Sequence, residues 1–408
     1  MLDIILTTNS PGEVSAWVRP VVKKINELNI ETKIFVFTPP CVFSSGSEGD
    51  VLSDLKGVTA TYNSREYLKY ILLNKSPKNF NPKGRGFVLS LGGDLMHAVF
   101  LGKKLNYPIY SYTENGFGFK NSINKFYLSD HNLYNKLSKS NIEESKLLVV
   151  GNLMFDSVEP ELSRVETKRF LNKKDNELLI NILPGSRPKE FNFVLPLFIN
   201  SIIKITQQID NLKFILSKSP FIDSKRFKEI LDDERIKGEI DYIVDENKLI
   251  INDNIEIKIF ENNLHSIMRE SDFALTIPGT NNLELAVLNT PMLVVVPLND
   301  PDIIPLQGLV GLIGEIPILG KALKRKVIPK KLENMRYTSL VNKIAQREIV
   351  PELIGVIEID DLVTKIKNLI KNDKINKIRS QLETMEINKG ASDMIVNDIL
   401  KDLGIQIK

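Results

Sequence analysis

The chain has 408 residues, more than one ordinary hydrophobic core accommodates, so two domains are expected. It is 42% hydrophobic and 26% charged with a net charge of +3, too small a charge to argue for a nucleic-acid partner, and no segment offers twenty uninterrupted apolar residues for a membrane span. Cys41 is the only cysteine, which excludes a disulfide framework and a thiolate zinc site and fits a reducing compartment.

The N-terminal half alternates two patterns. Short β-branched or aromatic runs at 4–7, 33–38, 86–91, 108–112, 125–128 and 147–150 predict strands, and amphipathic stretches at 13–28, 65–73 and 94–105 predict helices between them. The opening residues, with an acid at position 3 and only a short apolar run, predict the first strand rather than a signal peptide. Residues 159–176 are charged, contain Pro160 and have little β character, so a linker is expected there. The alternation restarts at 177–182 and continues through 212–216, 256–260, 272–276 and 292–296. The expected fold class is α/β: two Rossmann-like domains whose parallel sheets are covered on both faces and face a cleft, followed by a helical C-terminal tail. The domains are expected at 1–165 and 170–372. The tail, helical throughout 360–403, would supply the helices of 373–408, which either close the second domain or cross back to the first domain or to a partner subunit of a homodimer.

In such sheets ligands bind beyond the carboxyl ends of the strands. Two turns there are informative: Leu-Pro-Gly-Ser-Arg-Pro-Lys-Glu at 183–190 and Ile-Pro-Gly-Thr-Asn-Asn-Leu-Glu at 277–284. Each follows an apolar run and precedes an amphipathic one, so each presents backbone N–H groups and the positive end of a helix dipole to an anion. Donor-binding candidates are therefore Gly185, Ser186, Arg187, Glu190, Gly279, Thr280, Asn281, Asn282 and Glu284. Arg187 opposes the dipole at a helix start unless an anion compensates it, or unless it pairs with Glu190 three residues on. Glu284 can take the two hydroxyls of a ribose diol, whereas a capping box would account for Thr280 with a nearby carboxylate. Together the turns suit a nucleotide diphosphate.

Gly12, Glu13 and Ser15 follow the first strand; Glu13 is favoured by the helix dipole, or with Ser15 it holds sugar hydroxyls. Asp94 follows Leu91-Gly92-Gly93 and is either an N-cap or a general base facing the cleft. His97, His131 and His265 lie without metal-ligand spacing, so neither a metal nor another cofactor is expected. Residues 303–323 are mostly apolar and rich in Gly and Pro, and Lys324-Arg325-Lys326 and Lys330-Lys331 follow. That stretch is either a buried loop pair or a part of 303–331 that dips into a membrane face while the basic residues meet anionic headgroups.

At these residues the chain resembles the lipid-A-disaccharide synthases, in a divergent branch, over nearly its full length. The family's Gly-Glu-x-Ser turn is matched by Gly12, Glu13 and Ser15, and its acidic Pro-Asp-Phe-type turn by Asp94 between Gly93 and Leu95. Its Gly-His-Pro-Leu-x-Asp turn appears as Gly151, Asn152 and onward to Asp156 without the histidine. Leu-Pro-Gly-Ser-Arg-x-x-Glu is matched in full, Ser-Gly-Thr-x-x-Leu-Glu has Pro278 for serine, and Leu-Pro-Asn and Val-Pro-Glu-Leu correspond to 340–342 and 350–353. The resemblance implies a B-type glycosyltransferase fold and an inverting transfer of an (acylated) glucosamine-type sugar. The donor would be a UDP-sugar and the acceptor lipid-linked or a sugar phosphate, at the cytoplasmic face of the plasma membrane. It implies Asp94 or Glu13 as catalytic base and Gly12, Ser15, Asn152, Asp156 and Asn342 as acceptor-binding residues. A UDP-GlcNAc 2-epimerase-like reaction on the same fold, or a nucleotide-sugar-binding protein that has lost catalysis, are the alternatives.

Overall fold

The computed structural model describes residues 1–28, 30–41, 46–114, 118–232, 242–245, 247–252, 254–299 and 336–405. The chain forms two compact units, Met1–Ser157 with Ile387–Lys408, and Val158–Glu386.

The first unit is built on a seven-stranded sheet of β1 (Leu2–Thr7), β2 (Thr32–Phe37), β3 (Val58–Tyr62), β4 (Gly86–Ser90), β5 (Ile109–Thr113), β6 (Lys125–Leu128) and β7 (Leu147–Val149). Its order is β3-β2-β1-β4-β5-β6-β7, and every neighbouring pair is parallel. All six residues of β1 are buried, as a central parallel strand covered on both faces requires. Asp3 is tolerated there because its carboxylate accepts the Tyr107 hydroxyl at 2.8 Å and the Lys83 backbone N–H. From β1 the chain runs through α1 (Pro11–Glu13), a π-helical turn (Val14–Val18) and α2 (Arg19–Glu27) to β2. After β2 come α3 (Glu48–Ser53), the unforeseen edge strand β3 and α4 (Ser64–Leu73). Tyr62 of β3 packs on Phe37 at 4.8 Å and Phe80 at 5.5 Å between ring centroids, an aromatic cluster that anchors this edge. On the other side, β4 leads through α5 (Leu95–Leu105) to β5. The strand order therefore reverses between β1 and β4.

The second unit carries an eight-stranded sheet of β8 (Leu178–Leu183), β9 (Leu212–Ser217), β10 (Tyr242–Asp245), β11 (Lys248–Ile251), β12 (Ile255–Phe260), β13 (Phe273–Thr276), β14 (Met292–Pro297) and β15 (Glu352–Gly355). The order is β10-β11-β12-β9-β8-β13-β14-β15. Here the expectation of a wholly parallel sheet needs correcting. The β10–β11 and β11–β12 pairs are antiparallel, because their connections are far shorter than the dozen or so residues a parallel crossover takes. The remaining pairs are parallel, and the order reverses between β8 and β13.

Two further expectations change. Of the unit-1 helices, α6 (His131–Ser138) precedes β7, and α7 (Leu153–Asp156) ends the N-terminal segment. The stretch 159–176 is not a linker: it holds α8 (Arg164–Leu171), opened by a Ser163–Glu166 capping box and tied by Arg269 to the Leu162 carbonyl at 2.7 Å. The tail is not continuously helical; Ile359–Lys371 and Lys374–Leu382 belong to the second unit, and Ala391–Asp402 to the first. Asp156 holds that last helix by its N-terminus. Its carboxylate accepts the backbone N–H groups of Gly390 and Ser392, each at 2.7 Å, and the Ser392 hydroxyl at 2.7 Å. Lys125 pairs with Asp398 at 2.9 Å further along the same helix.

The Asp156 clasp predicts that Asp156→Ala destabilises the first unit by about 1–3 kcal/mol, from three orphaned donors at a helix start. Urea denaturation followed by circular dichroism measures this, and an unchanged midpoint would refute the clasp.

Candidate active site

A cavity of about 440 Å³ opens beside the carboxyl ends of β1, β4 and β5 in the first unit. Its walls include Glu13, Trp17, Ser90, Gly92, Gly93, Asp94, Ser111, Tyr112 and Glu114, with Phe119 at the margin. It lies at the reversal of strand order, where the helices after β1 and β4 diverge and leave room for a ligand.

Glu13 spans that reversal. Its Oε2 accepts the backbone N–H groups of Asn9 at 2.9 Å and Ser10 at 3.1 Å, and its Oε1 accepts that of Gly93 at 3.0 Å. Burial raises the Glu13 carboxyl above its ordinary value, and the three backbone donors pull it back in part. The glycine opposite is a consequence: Gly92 has φ +114°, and a Cβ on it would lie 2.1 Å from the Glu13 carboxyl carbon. Asp94 caps α5, accepting the Met96 N–H at 3.0 Å. Both sequence candidates for the base thus do structural work and still line the cavity.

Trp17, from the π turn, stands edge-on to Tyr112 with ring centroids 5.1 Å apart. Among the described residues its buried indole N–H has no hydrogen-bond partner. Gly12 and Ser15 sit in the same helical segment but do not line the cavity. The signal for Trp17 was present in the sequence, two residues beyond Ser15, but nothing local says that a π turn aims it here.

Glu114, just past β5, was missed altogether. Tyr112 donates its hydroxyl to Glu114 Oε1 at 3.1 Å. Burial, opposed by that hydrogen bond and reinforced by Asp130 and Glu13, pushes the Glu114 carboxyl up to about 7. No motif pointed to it, because its character comes mainly from burial, with Asp130 and Glu13 brought near from segments distant in the chain.

The remaining acceptor candidates are not gathered at this cavity. Asn152 caps α7, accepting the Met154 N–H at 2.9 Å, and Asp156 is committed to the helix Ala391–Asp402. Asn342 belongs to the second unit and is fully buried. Its amide donates to the Val350 carbonyl and to Glu352, each at 2.8 Å, and accepts the Ile349 and Val350 N–H groups, which leaves it structural.

In the second unit the two motif turns come side by side. β8 and β13 are adjacent, Leu183 pairing with Thr276, so both turns rise from the carboxyl ends at the second reversal. Gly185 has φ +117°, and a Cβ there would come within 2.8 Å of Ile277 Cδ1 in the other turn. Ser186 and Arg187 lead into α9 (Pro188–Thr206), with Arg187 as the N-cap residue. The Arg187 guanidinium pairs with Glu190 at 2.7 Å, the bland alternative of the sequence, with both side chains partly exposed. In the other turn, Gly279 and Thr280 precede the helix Asn281–Val287, and Thr280 makes no side-chain cap. Asn282 is buried and ties the turn, donating to the Ile277 carbonyl at 2.9 Å and accepting the Gly279 N–H at 3.3 Å. Its role is therefore to shape the turn. Glu284 stands 3.9 Å from His265, a histidine that the sequence reads as structural or surface. A second cavity, near the start of β9 and β12, lies by strand amino ends, away from these turns. The lysine-rich stretch 303–331 lies outside the described residues, among which no helix is long and apolar enough to cross a membrane. No group of three or more His, Cys, Asp or Glu residues among the described residues could hold a metal ion.

Residues 143–310, which include both turns, match the family described as lipid-A-disaccharide synthetase. The lipid-A-disaccharide synthase of Psychromonas ingrahamii is 25% identical over 232 residues, 57% of this chain and 50% of that enzyme. The chain thus spans about half the length of the curated relatives it matches. Among solved structures it is similar to S. aureus MnaA in a co-structure with UDP, at a TM-score of 0.58 and 14% identity, covering 100% of this chain and 98% of that one. It is also similar to UDP-GlcNAc 2-epimerase from Neisseria meningitidis bound to UDP-GlcNAc, at 0.54 and 15%, covering 98% and 100%. At such identities these likenesses establish the two-sheet fold alone.

The protonation of Glu114 has a consequence for stability. Its carboxyl is raised from 4.5 to about 7, so across that window the folded protein keeps a proton that the unfolded chain has released. Stability accordingly falls as pH rises from 4.5 to 7 and is level in this respect above it. Glu114→Gln should abolish that slope and gain on the parent between pH 5 and pH 8 in thermal midpoints. Midpoints that track the parent at both pH values would show Glu114 to be ordinary.

Proposed function

We propose that the chain, similar over part of its length to the lipid-A-disaccharide synthases, is an inverting glycosyltransferase. In this reading it transfers a glucosamine-type sugar from a UDP-sugar to a hydroxyl of a lipid-linked or sugar-phosphate acceptor. One observation carries the reading. The two turns bearing the family's residues, distant in sequence, stand together at the carboxyl ends of β8 and β13, within the stretch that matches the family.

The chemistry follows from charge. Departure of UDP from the anomeric carbon builds negative charge on the diphosphate. Arg187, at the start of the 19-residue α9, would leave Glu190 for the phosphates, and the helix dipole would act with it. Backbone N–H groups of the 277–284 turn would add donors, and Glu284 would accept the ribose hydroxyls. In the first unit, the cavity with Trp17 and Tyr112 would receive the acceptor sugar against aromatic faces. Glu13 and Asp94 would hold its hydroxyls, and a carboxylate of the cavity would take the proton of the attacking one.

The donor assignment predicts that Arg187→Ala weakens UDP binding by about 1–4 kcal/mol, the cost of a lost charged donor. Glu284→Ala should weaken it as well. Titration calorimetry with UDP decides: if both variants bind UDP as tightly as the parent, the turns are not the donor site.

We also propose work at a lipid surface, because 303–331 pairs an apolar stretch with a basic cluster and stable peripheral binding needs two such signals. Binding to vesicles should rise with anionic lipid content and fall in high salt. Replacing Leu309, Val310, Leu312 and Ile313 with serine should release the protein while UDP binding persists; loss of folding in that variant would refute the membrane role.

A further inference from the structure

Three carboxylates line the cavity of the first unit, and the backbone has engaged two of them. Glu13 accepts three backbone N–H groups across the β1–β4 reversal, and Asp94 caps α5. The hydrogen-bonding capacity of these two carboxylates is thereby partly spent on holding the loop and the helix start. Glu114 differs. Its Oε1 accepts a neutral hydroxyl, that of Tyr112 at 3.1 Å, and among the described residues its Oε2 has no partner. The tyrosine is itself oriented: its hydroxyl oxygen accepts the Leu153 N–H at 3.2 Å while its hydrogen goes to Glu114.

The charges that Glu114 feels are acidic. Glu13 faces it from the helical segment after β1, and Asp130 from the cap of α6, where it accepts the Leu133 N–H at 2.9 Å. Asp94 lines the same cavity from the start of α5, and no Lys, Arg or His is among the described residues of its wall. Nothing positive at the wall therefore favours the ionised form.

We propose that Glu114 is the general base of the transfer, its Oε2 taking the proton of the acceptor hydroxyl. This rests on the transferase reading above. As the O–H bond breaks, the hydroxyl oxygen bonds to the anomeric carbon. The bond between that carbon and the diphosphate oxygen breaks at the same time, and its electron pair leaves with UDP. The proton stays on Glu114 until it is passed to solvent. A carboxyl that titrates near 7 is matched to this task at neutral pH, since it is ionised often enough to act and basic enough to hold the proton. Tyr112 is a positioning residue: it orients the carboxylate and, by donating to it, favours the anion.

The test is the pH dependence of UDP release by the full chain. The probes are UDP-glucosamine-type donors, acylated and unacylated, with a total membrane lipid extract as acceptor source. The parent kcat/KM should climb about tenfold per pH unit below about 7 and level above it. Glu114→Gln should lose roughly 10²–10⁴-fold and flatten that climb. Tyr112→Phe should move the climb to higher pH, a shift that a packing role would not produce. If Glu114→Gln retains both the parental rate and the climb, the assignment is overturned while the transferase reading stands. It is overturned too if the climb vanishes in Asp94→Asn but survives in Glu114→Gln. If the parent releases no UDP with any donor, the transferase reading falls and the assignment falls with it.

Discussion

The structure depends on one topological constraint, the reversal of strand order inside each sheet. Parallel strands joined by right-handed crossovers send successive helices to one face until the order turns back. At that point two neighbouring strands launch their helices in opposite directions. Between β1 and β4 the reversal leaves the cavity lined by Glu13, Asp94 and Trp17; between β8 and β13 it brings the 183–190 and 277–284 turns together. Both candidate sites are products of chain order in a sheet.

At the first reversal the protein holds the diverging loops with a single side chain. Glu13 belongs to the turn after β1, yet one of its oxygens binds the Gly93 N–H after β4. The geometry leaves no volume for a side chain at Gly92, and at Gly93, where the resemblance suggested a proline, φ is +70° and a Cβ would lie 2.5 Å from Asn9 Nδ2. The same bond makes Glu13 less free for chemistry. Each bond that orders the crevice removes a lone pair from catalysis, and this separates the carboxylates that build the cavity from the one that remains available.

The tail shows a similar economy. A helix after the second unit returns to the first, and Asp156, the last residue of α7, supplies its cap. Lys125 and Asp398 fasten it further along. A residue that the resemblance placed at the acceptor is thereby used to fix chain connectivity, and Asn342 serves likewise inside the second unit.

Much of the fold was legible because its signals are local. The inner strands of both sheets were apparent from short apolar and β-branched runs, though the edge strands β3, β10 and β15 and the neighbouring β11 were not, and the 183–190 and 277–284 turns were apparent from glycine before an amphipathic segment. Local signals failed at edges. β3 is held by rings from other elements, β10 and β11 reverse direction through short connections, and the Ser163–Glu166 box was hidden inside a charged stretch. The residue sequence by itself determined the two-sheet α/β class, the strand-turn-helix units and the carboxylates at strand ends, since periodicity and turn chemistry act over a few residues. Only the tertiary structure decided which carboxylates are clasps, that Trp17 and Glu114 face one cavity, and that the two turns are neighbours. Those properties depend on hydrogen bonds and burial between segments far apart in the chain, and no local pattern encodes them.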